Sequence, residues 1–221
     1  MVLIAPSVLS ANQMNIRECI RAIEEGGADL IHVDAIDGVF APNIGFAPKF
    51  VDDLSRETRL EIDVHLMFYN PLRYTLAYAK AGARMISAHT EVLTDVLGRH
   101  FIAIAKEFGF KAGFALKPFT EPPPWLFDCL IDADYIVPMS VEPGFSGQKF
   151  IPQTFKNIQL FQEHRKKNRL NFKIEADGGV TQDNARMLVE SGVDILVAGA
   201  SVFNSDDIKG AISSLKRCAQ I

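Results

Sequence analysis

Two hydrophobic periods take turns along this chain. Stretches with apolar residues three and four positions apart run up to a glycine, and a short aliphatic run follows. Residues 22–34 read AIEEGGADLIHVD, residues 77–89 AYAKAGARMISAH and residues 188–199 LVESGVDILVAG; a looser copy, AKEFGFKAGFALK, spans 105–117. Each predicts a helix end, a glycine able to take the left-handed C-cap, and then a buried strand. Further strands are expected at 2–5, 60–66, 135–139 and 172–176, and helical spacing falls near 13–25, 70–81, 92–107, 152–167, 180–191 and 206–218. The prolines at 122–124 read as a loop that starts the next helix, with Trp125 as its anchor. About eight strands alternating with helices predict βα units, and a (β/α)8 barrel spanning residues 1–221 as one domain is the economical closure. A doubly wound open sheet is the rival. It is weakened by Pro6-Ser7-Val8-Leu9-Ser10, which stands where a GxGxxG turn would follow the first strand.

Composition narrows the function. At 221 residues and 48% hydrophobic content the chain can bury a large core, and a net charge of −4 gives no electrostatic case for nucleic acid. The basic run RKKNR at 165–169 sits where a helix should end, which suits the helix dipole. Cys19, Cys129 and Cys218 are odd in number and form no CxxC pair, so a disulfide framework and a thiolate zinc site are not expected. The apolar start meets Pro6 at once and has no basic region before it, and no apolar run approaches bilayer length. A cytoplasmic protein without membrane contact is the expectation, and apolar helix faces suggest a homo-oligomer.

Candidate chemistry gathers at the strand ends. In residues 29–38, DLIHVDAIDG, His32 and Asp34 stand two apart on a strand and so point to the same side. A barrel brings the C-terminal ends of all strands to one face. Those positions hold Ser7, His32, Asp34, His65, His89, Lys117, Ser140, Asp177 and Gly199. His32, Asp34, His65 and Asp177 make a two-histidine, two-carboxylate set suited to one divalent ion such as Zn2+, Fe2+, Mn2+ or Co2+. His89 reads as a supporting or structural residue, and His100 and His164 as surface residues of helices. Glycine-rich loops at 142–150, 177–179 and 199–201 would let backbone N–H groups approach an anion, and the loops after strands seven and eight are the usual phosphate site of a barrel.

These residues also carry a resemblance. PSVLSA at 6–11, HVDAIDGVFAPN at 32–43, DVHLM at 63–67, MSVEPGFSGQKFIP at 139–152, EADGGV at 175–180 and VAGASVF at 197–203 resemble the ribulose-phosphate 3-epimerases, in order and over nearly the whole chain. The resemblance implies a ribulose-phosphate-binding (β/α)8 barrel. It implies interconversion of D-ribulose 5-phosphate and D-xylulose 5-phosphate in the pentose phosphate pathway. By position, His32, Asp34, His65 and Asp177 match the family's metal ligands, and Asp34 and Asp177 its acid/base pair. Ser7, His65, Gly144, Phe145, Ser146, Gly147, Asp177, Gly178, Gly179, Gly199 and Ala200 match its substrate contacts. Two carboxyl groups on opposite sides of a planar enediolate, one ionised and one protonated, are what inversion beside a ketone requires. Met67 and Met139 match methionines that pack beside the intermediate, or are plain core.

Departures from the family pattern bear on the sugar. Ile36 stands where Met is usual, Ser146 for Gly, Ala200 for Ser and Lys117 for Asn. Ile36 would remove a thioether from the pocket, Ser201 is placed to replace the hydroxyl missing at Ala200, and Lys117 would put a cation near the mouth. Another ketose phosphate, such as D-allulose 6-phosphate, is therefore the alternative substrate. A metal-independent decarboxylase or aldol-type synthase would show a D-x-K-x-x-D pattern, which neither 34–37 nor 63–65 supplies. A non-catalytic phosphosugar-binding protein could dispense with one of the aspartates, and both are present.

Overall fold

A computed structural model describes residues 2–219. Its strands are β1 (Leu3–Pro6), β2 (Leu30–Ile36), β3 (Glu61–Met67), β4 (Met85–His89), β5 (Lys111–Leu116), β6 (Tyr135–Pro138), β7 (Lys173–Asp177) and β8 (Ile195–Ala198). All neighbours pair in parallel in the order β1-β8-β7-β6-β5-β4-β3-β2. The remaining seam, between β1 and β2, is narrowed by a bridge from Ser7 to His32 and by the Asp29 N–H donating to the Ile4 carbonyl at 2.9 Å. The result is a nearly closed (β/α)8 barrel, as the alternating pattern predicts.

The helices are α1 (Ile16–Glu25), α2 (Pro48–Glu57), α3 (Leu72–Lys80), α4 (Asp95–Phe108), α5 (Pro124–Cys129), α6 (Thr154–Asn168), α7 (Gln182–Glu190), α8 (Ala200–Phe203) and α9 (Ile208–Cys218). Two were not expected. Helix α2 buries only Val51 and Leu54, a stripe too thin to register as a helical period, although Pro48 opens it in the usual first-turn position. Helix α8 starts at residue 200, six residues earlier than the helix expected there, so Gly199 is its N-cap. Strand β2 also runs two residues past Asp34, because its Ala35 and Ile36 pair with Leu66 and Met67 of β3.

Strand alternation divides the core. Ile31, Val33 and Ala35 of β2 join the layer between barrel and helices, where each buried Ile or Val contributes on the order of 2 kcal/mol. Leu30 faces the other way and joins Met85, Ala115, Tyr135, Val137, Ile195 and Val197 inside the barrel. The interior is not purely apolar: His32, Asp63, His65, Ser87, His89 and Glu175 are all fully buried. Burying charges costs several kcal/mol each unless they are paired, so this polar interior needs a compensating purpose.

Candidate active site

The site forms at the C-terminal mouth, where register sets the side chains beside one another. Asp34 of β2 lies opposite His65 of β3, and His32 opposite Asp63. Bridges from Ser7 to His32 and from Met139 to Asp177 bring β1, β6 and β7 to the same level. One ligand atom from each of His32, Asp34, His65 and Asp177 lies within 4.8 Å of the others. His32 Nε2 is 3.7 Å from both Asp34 Oδ1 and Asp177 Oδ2, and His65 Nδ1 is 3.3 Å from Asp177 Oδ2.

These residues fit a metal ion on the geometry of their own atoms. Among the described residues, His32 Nε2 and His65 Nδ1 are buried with no hydrogen-bond partner, and both face the carboxylates. Ligands about 2.1 Å from a tetrahedral ion stand roughly 3.4 Å apart, close to the spacings seen here. The Asp34 carboxylate is tuned toward the ionised form. Burial alone would raise the Asp34 carboxyl, but the charge of His32 and the Ser7 hydroxyl outweigh it, holding Asp34 below the usual range. Ser7 Oγ donates to Asp34 Oδ2 at 2.6 Å. Burial also works against a charged His32, yet Asp63 and Asp34 hold that imidazole well above its ordinary value.

A cavity of about 530 Å3 opens above the set. Asp34 and Asp177 line it with Ser7, Met67 and Met139, and so do Gly144, Phe145, Ser146 and Gly147 of the long loop. Gly178, Gly179, Gly199 and Ala200 complete the opposite wall. Gly178 and Gly179 have φ of +110° and +62°, and a Cβ on Gly178 would stand 2.4 Å from Val141, so the turn after β7 requires glycine. His65, expected among the substrate contacts, is fully buried and is not part of the cavity wall; neither is His32. The imidazoles stand behind the carboxylates.

Comparison with known proteins identifies the family. The profile of the ribulose-phosphate 3 epimerase family matches residues 3–203. Ribulose-phosphate 3-epimerase of Bacillus subtilis (strain 168) is 40% identical over 217 residues, covering 98% of this chain and 99% of the relative. The protein of the same name from Synechocystis sp. is 40% identical over 215 residues, covering 97% and 93%. This chain belongs to the ribulose-phosphate 3-epimerase family. It is an isomerase. At the level of fold alone, it is similar to the solved structure of KGPDC from Streptococcus mutans, with a TM-score of 0.74 at 11% identity over 99% and 98% of the two chains.

Within this family member, further buried polar residues support the four candidate ligands from below. Asp63 Oδ2 lies 2.7 Å from His32 Nδ1, and Tyr135 Oη donates to Asp63 Oδ1 at 2.9 Å. Gly113 makes room for that tyrosine: a Cβ there would stand 2.3 Å from the ring. Glu175 lies beneath with both carboxylate oxygens unpartnered, and burial together with the Asp63 charge pushes it well above the usual range. The signal was available, since Asp63 is two residues before His65 and Glu175 two before Asp177 on the same inward faces. His89 is a supporting residue, its Nε2 2.9 Å from His65 Nε2. His100 is exposed, as expected, but His164 is half-buried, 4.9 Å from the Phe127 ring between centroids.

Two of the four departures from the family pattern, Ser146 and Ala200, line the cavity, and the other two lie outside it. Ile36 packs with Ala41 and Met67 behind the wall and does not line it. Lys117 sits with Nζ 4.5 Å from the centroid of Phe40, away from the cavity. Ser201 lines the cavity, but its hydroxyl proton goes to the Val180 carbonyl at 2.7 Å, so it is not a free replacement for the hydroxyl missing at Ala200.

Proposed function

We propose that this chain, working as one barrel, interconverts D-ribulose 5-phosphate and D-xylulose 5-phosphate by moving the C3 proton between Asp34 and Asp177. The observation that carries the reading is a pair of carboxylates, from β2 and β7, on the wall of one cavity with two unpartnered imidazole nitrogens behind them. Asp34 is held ionised chiefly by the charge of His32 and is oriented by Ser7, and the ionised form is the one that accepts a proton. Asp177, carrying a proton, returns one to the opposite face of the planar enediolate, and the two roles exchange with the direction of reaction. His32, Asp34, His65 and Asp177 would hold a divalent ion, which would supply positive charge to offset the negative charge developing on the substrate oxygens. Met67 and Met139 give the flat intermediate apolar flanks. Gly178, Gly179, Gly199 and Ala200 offer a wall with no side chain larger than a methyl, on which backbone N–H groups can hold the phosphate.

The test is to incubate metal-loaded protein with D-ribulose 5-phosphate in D2O and follow C3 by NMR beside a chelated sample. Deuterium entering C3 with xylulose 5-phosphate, and lost on chelation, supports the proposal. Exchange that survives chelation overturns the metal. Exchange into D-allulose 6-phosphate but not the pentulose moves the substrate to the hexulose.

A further inference from the structure

We infer that Glu91 is a positioning residue for this site, setting through His89 which nitrogen of His65 carries the proton. The inference rests on reading His32, Asp34, His65 and Asp177 as metal ligands. Glu91 lies in a short turn after β4, on the rim, with its side chain 19% exposed. Its Oε1 accepts the Lys117 N–H at 2.7 Å and the Thr120 hydroxyl at 2.6 Å. Its Oε2 faces His89 Nδ1 at 3.0 Å, and His89 Nε2 faces His65 Nε2 at 2.9 Å. The chain ends at His65 Nδ1, buried and unpartnered, facing the metal set.

The direction of every bond in this chain follows from its outer end. An ionised carboxylate only accepts, so His89 Nδ1 must donate. Neutral His89 then presents a lone pair at Nε2, His65 Nε2 must donate to it, and His65 Nδ1 is left as a lone pair toward the carboxylates. Burial works against ionised Glu91, but His89, Thr120 and the Lys117 N–H hold it down to about 2. The opposite direction would set a carboxylate against a lone pair of His89. A ligand imidazole whose other nitrogen is tied to a fixed partner is the usual way a protein orients a metal ligand. Here the partner is reached through a second imidazole, and the fixed end is a loop on the rim.

The isosteric substitution is the sharp test, because it should do more harm than deletion. In Glu91→Gln, Lys117 and Thr120 still require an acceptor, so the amide oxygen stays with them and the NH2 turns to His89 Nδ1. His89 then carries its proton on Nε2, His65 must accept there, and the proton moves to His65 Nδ1, blocking it as a ligand. In Glu91→Ala, water at the rim can take the His89 proton and the direction is kept. Full-length protein would be examined by long-range 15N–1H NMR of the imidazoles without metal, and by competing Zn2+ against a chelating indicator. The expected result is His65 protonated on Nε2 in wild type and on Nδ1 in Glu91→Gln. Zn2+ affinity should fall roughly 10- to 100-fold in Glu91→Gln and less in Glu91→Ala. Wild-type His65 protonated on Nδ1 overturns the inference even if no variant folds, and so does equal Zn2+ affinity in folded Gln and Ala variants. Wild type that shows the expected tautomer yet takes up no Zn2+ overturns the metal reading, and the positioning role with it.

Discussion

Asp34 and Asp177 stand on the cavity wall at 5% and 8% exposure, close enough to share one ion with His32 and His65. A carboxylate as buried as Asp34 is kept ionised only by what surrounds it, so its partners are as much part of the site as it is. Asp177→Asn keeps shape and volume but would remove the proposed proton carrier and one candidate metal ligand. Turnover should drop by ~10^2–10^4 with the fold retained, checked by the rate of C3 exchange and by circular dichroism. Normal turnover would sink the two-carboxylate mechanism. Gly113 is the counterpart deep in the barrel. Gly113→Ala would drive a methyl against the Tyr135 ring, and overpacking of this kind costs about 1–3 kcal/mol. The expected outcome in urea unfolding is a loss of that size, with weaker metal binding as Tyr135 shifts from Asp63.

The loop between β6 and α6 is the element that completes the cavity. It is tied within itself, since Gln148 donates from Nε2 to the carbonyls of Glu142 and Phe145 at 2.7 and 2.8 Å. It is clasped from outside by Asn43 Nδ2, which donates to the Gly144 carbonyl at 2.7 Å. Asn43 follows β2, so the strand that supplies His32 and Asp34 also positions the far wall. Asn43→Ala should release the loop and raise KM by up to about tenfold, the equivalent of one lost hydrogen bond, with a smaller change in kcat. Unchanged KM in steady-state kinetics would show that Gln148 alone holds the loop.

For the whole molecule, buried His89 makes a contribution to stability that depends on pH in a set direction. Burial brings His89 down to about 4, from an ordinary value near 6.5. Between those values the unfolded chain binds the proton that the folded chain refuses, so stability is full above pH 6.5 and falls as pH drops toward 4. The loss is on the order of 3 kcal/mol for this one fully buried group. Glu91 continues the trend, its contribution present above about pH 4.5 and lost as pH falls toward 2. Urea unfolding of metal-free protein from pH 7 to pH 4 should show the decline, and His89→Gln should flatten it. An equal decline in that variant would place the acid sensitivity elsewhere.

Much of this was written locally. The turns of glycine between helix and strand, the i, i+2 pairing of His32 with Asp34 and the glycines after β7 and β8 are short-range signals, and they led to the barrel, the four ligand candidates and the anion-binding loops. Helix α2 escaped because Val51 and Leu54 are too few to make a period, and packing rather than pattern stabilises it. What only the tertiary structure decided depends on strands distant in sequence. The register of β2 on β3 set Asp63 against His32, and the width of the barrel let Tyr135 reach Asp63 over Gly113. Closure around β4 and β5 joined Glu91 to the rim loop and through His89 to His65. The sequence determined which groups could do the chemistry, because residue type and strand parity are local properties. Which nitrogen of each histidine is left free was decided by hydrogen bonds between strands, which exist only once the barrel has closed.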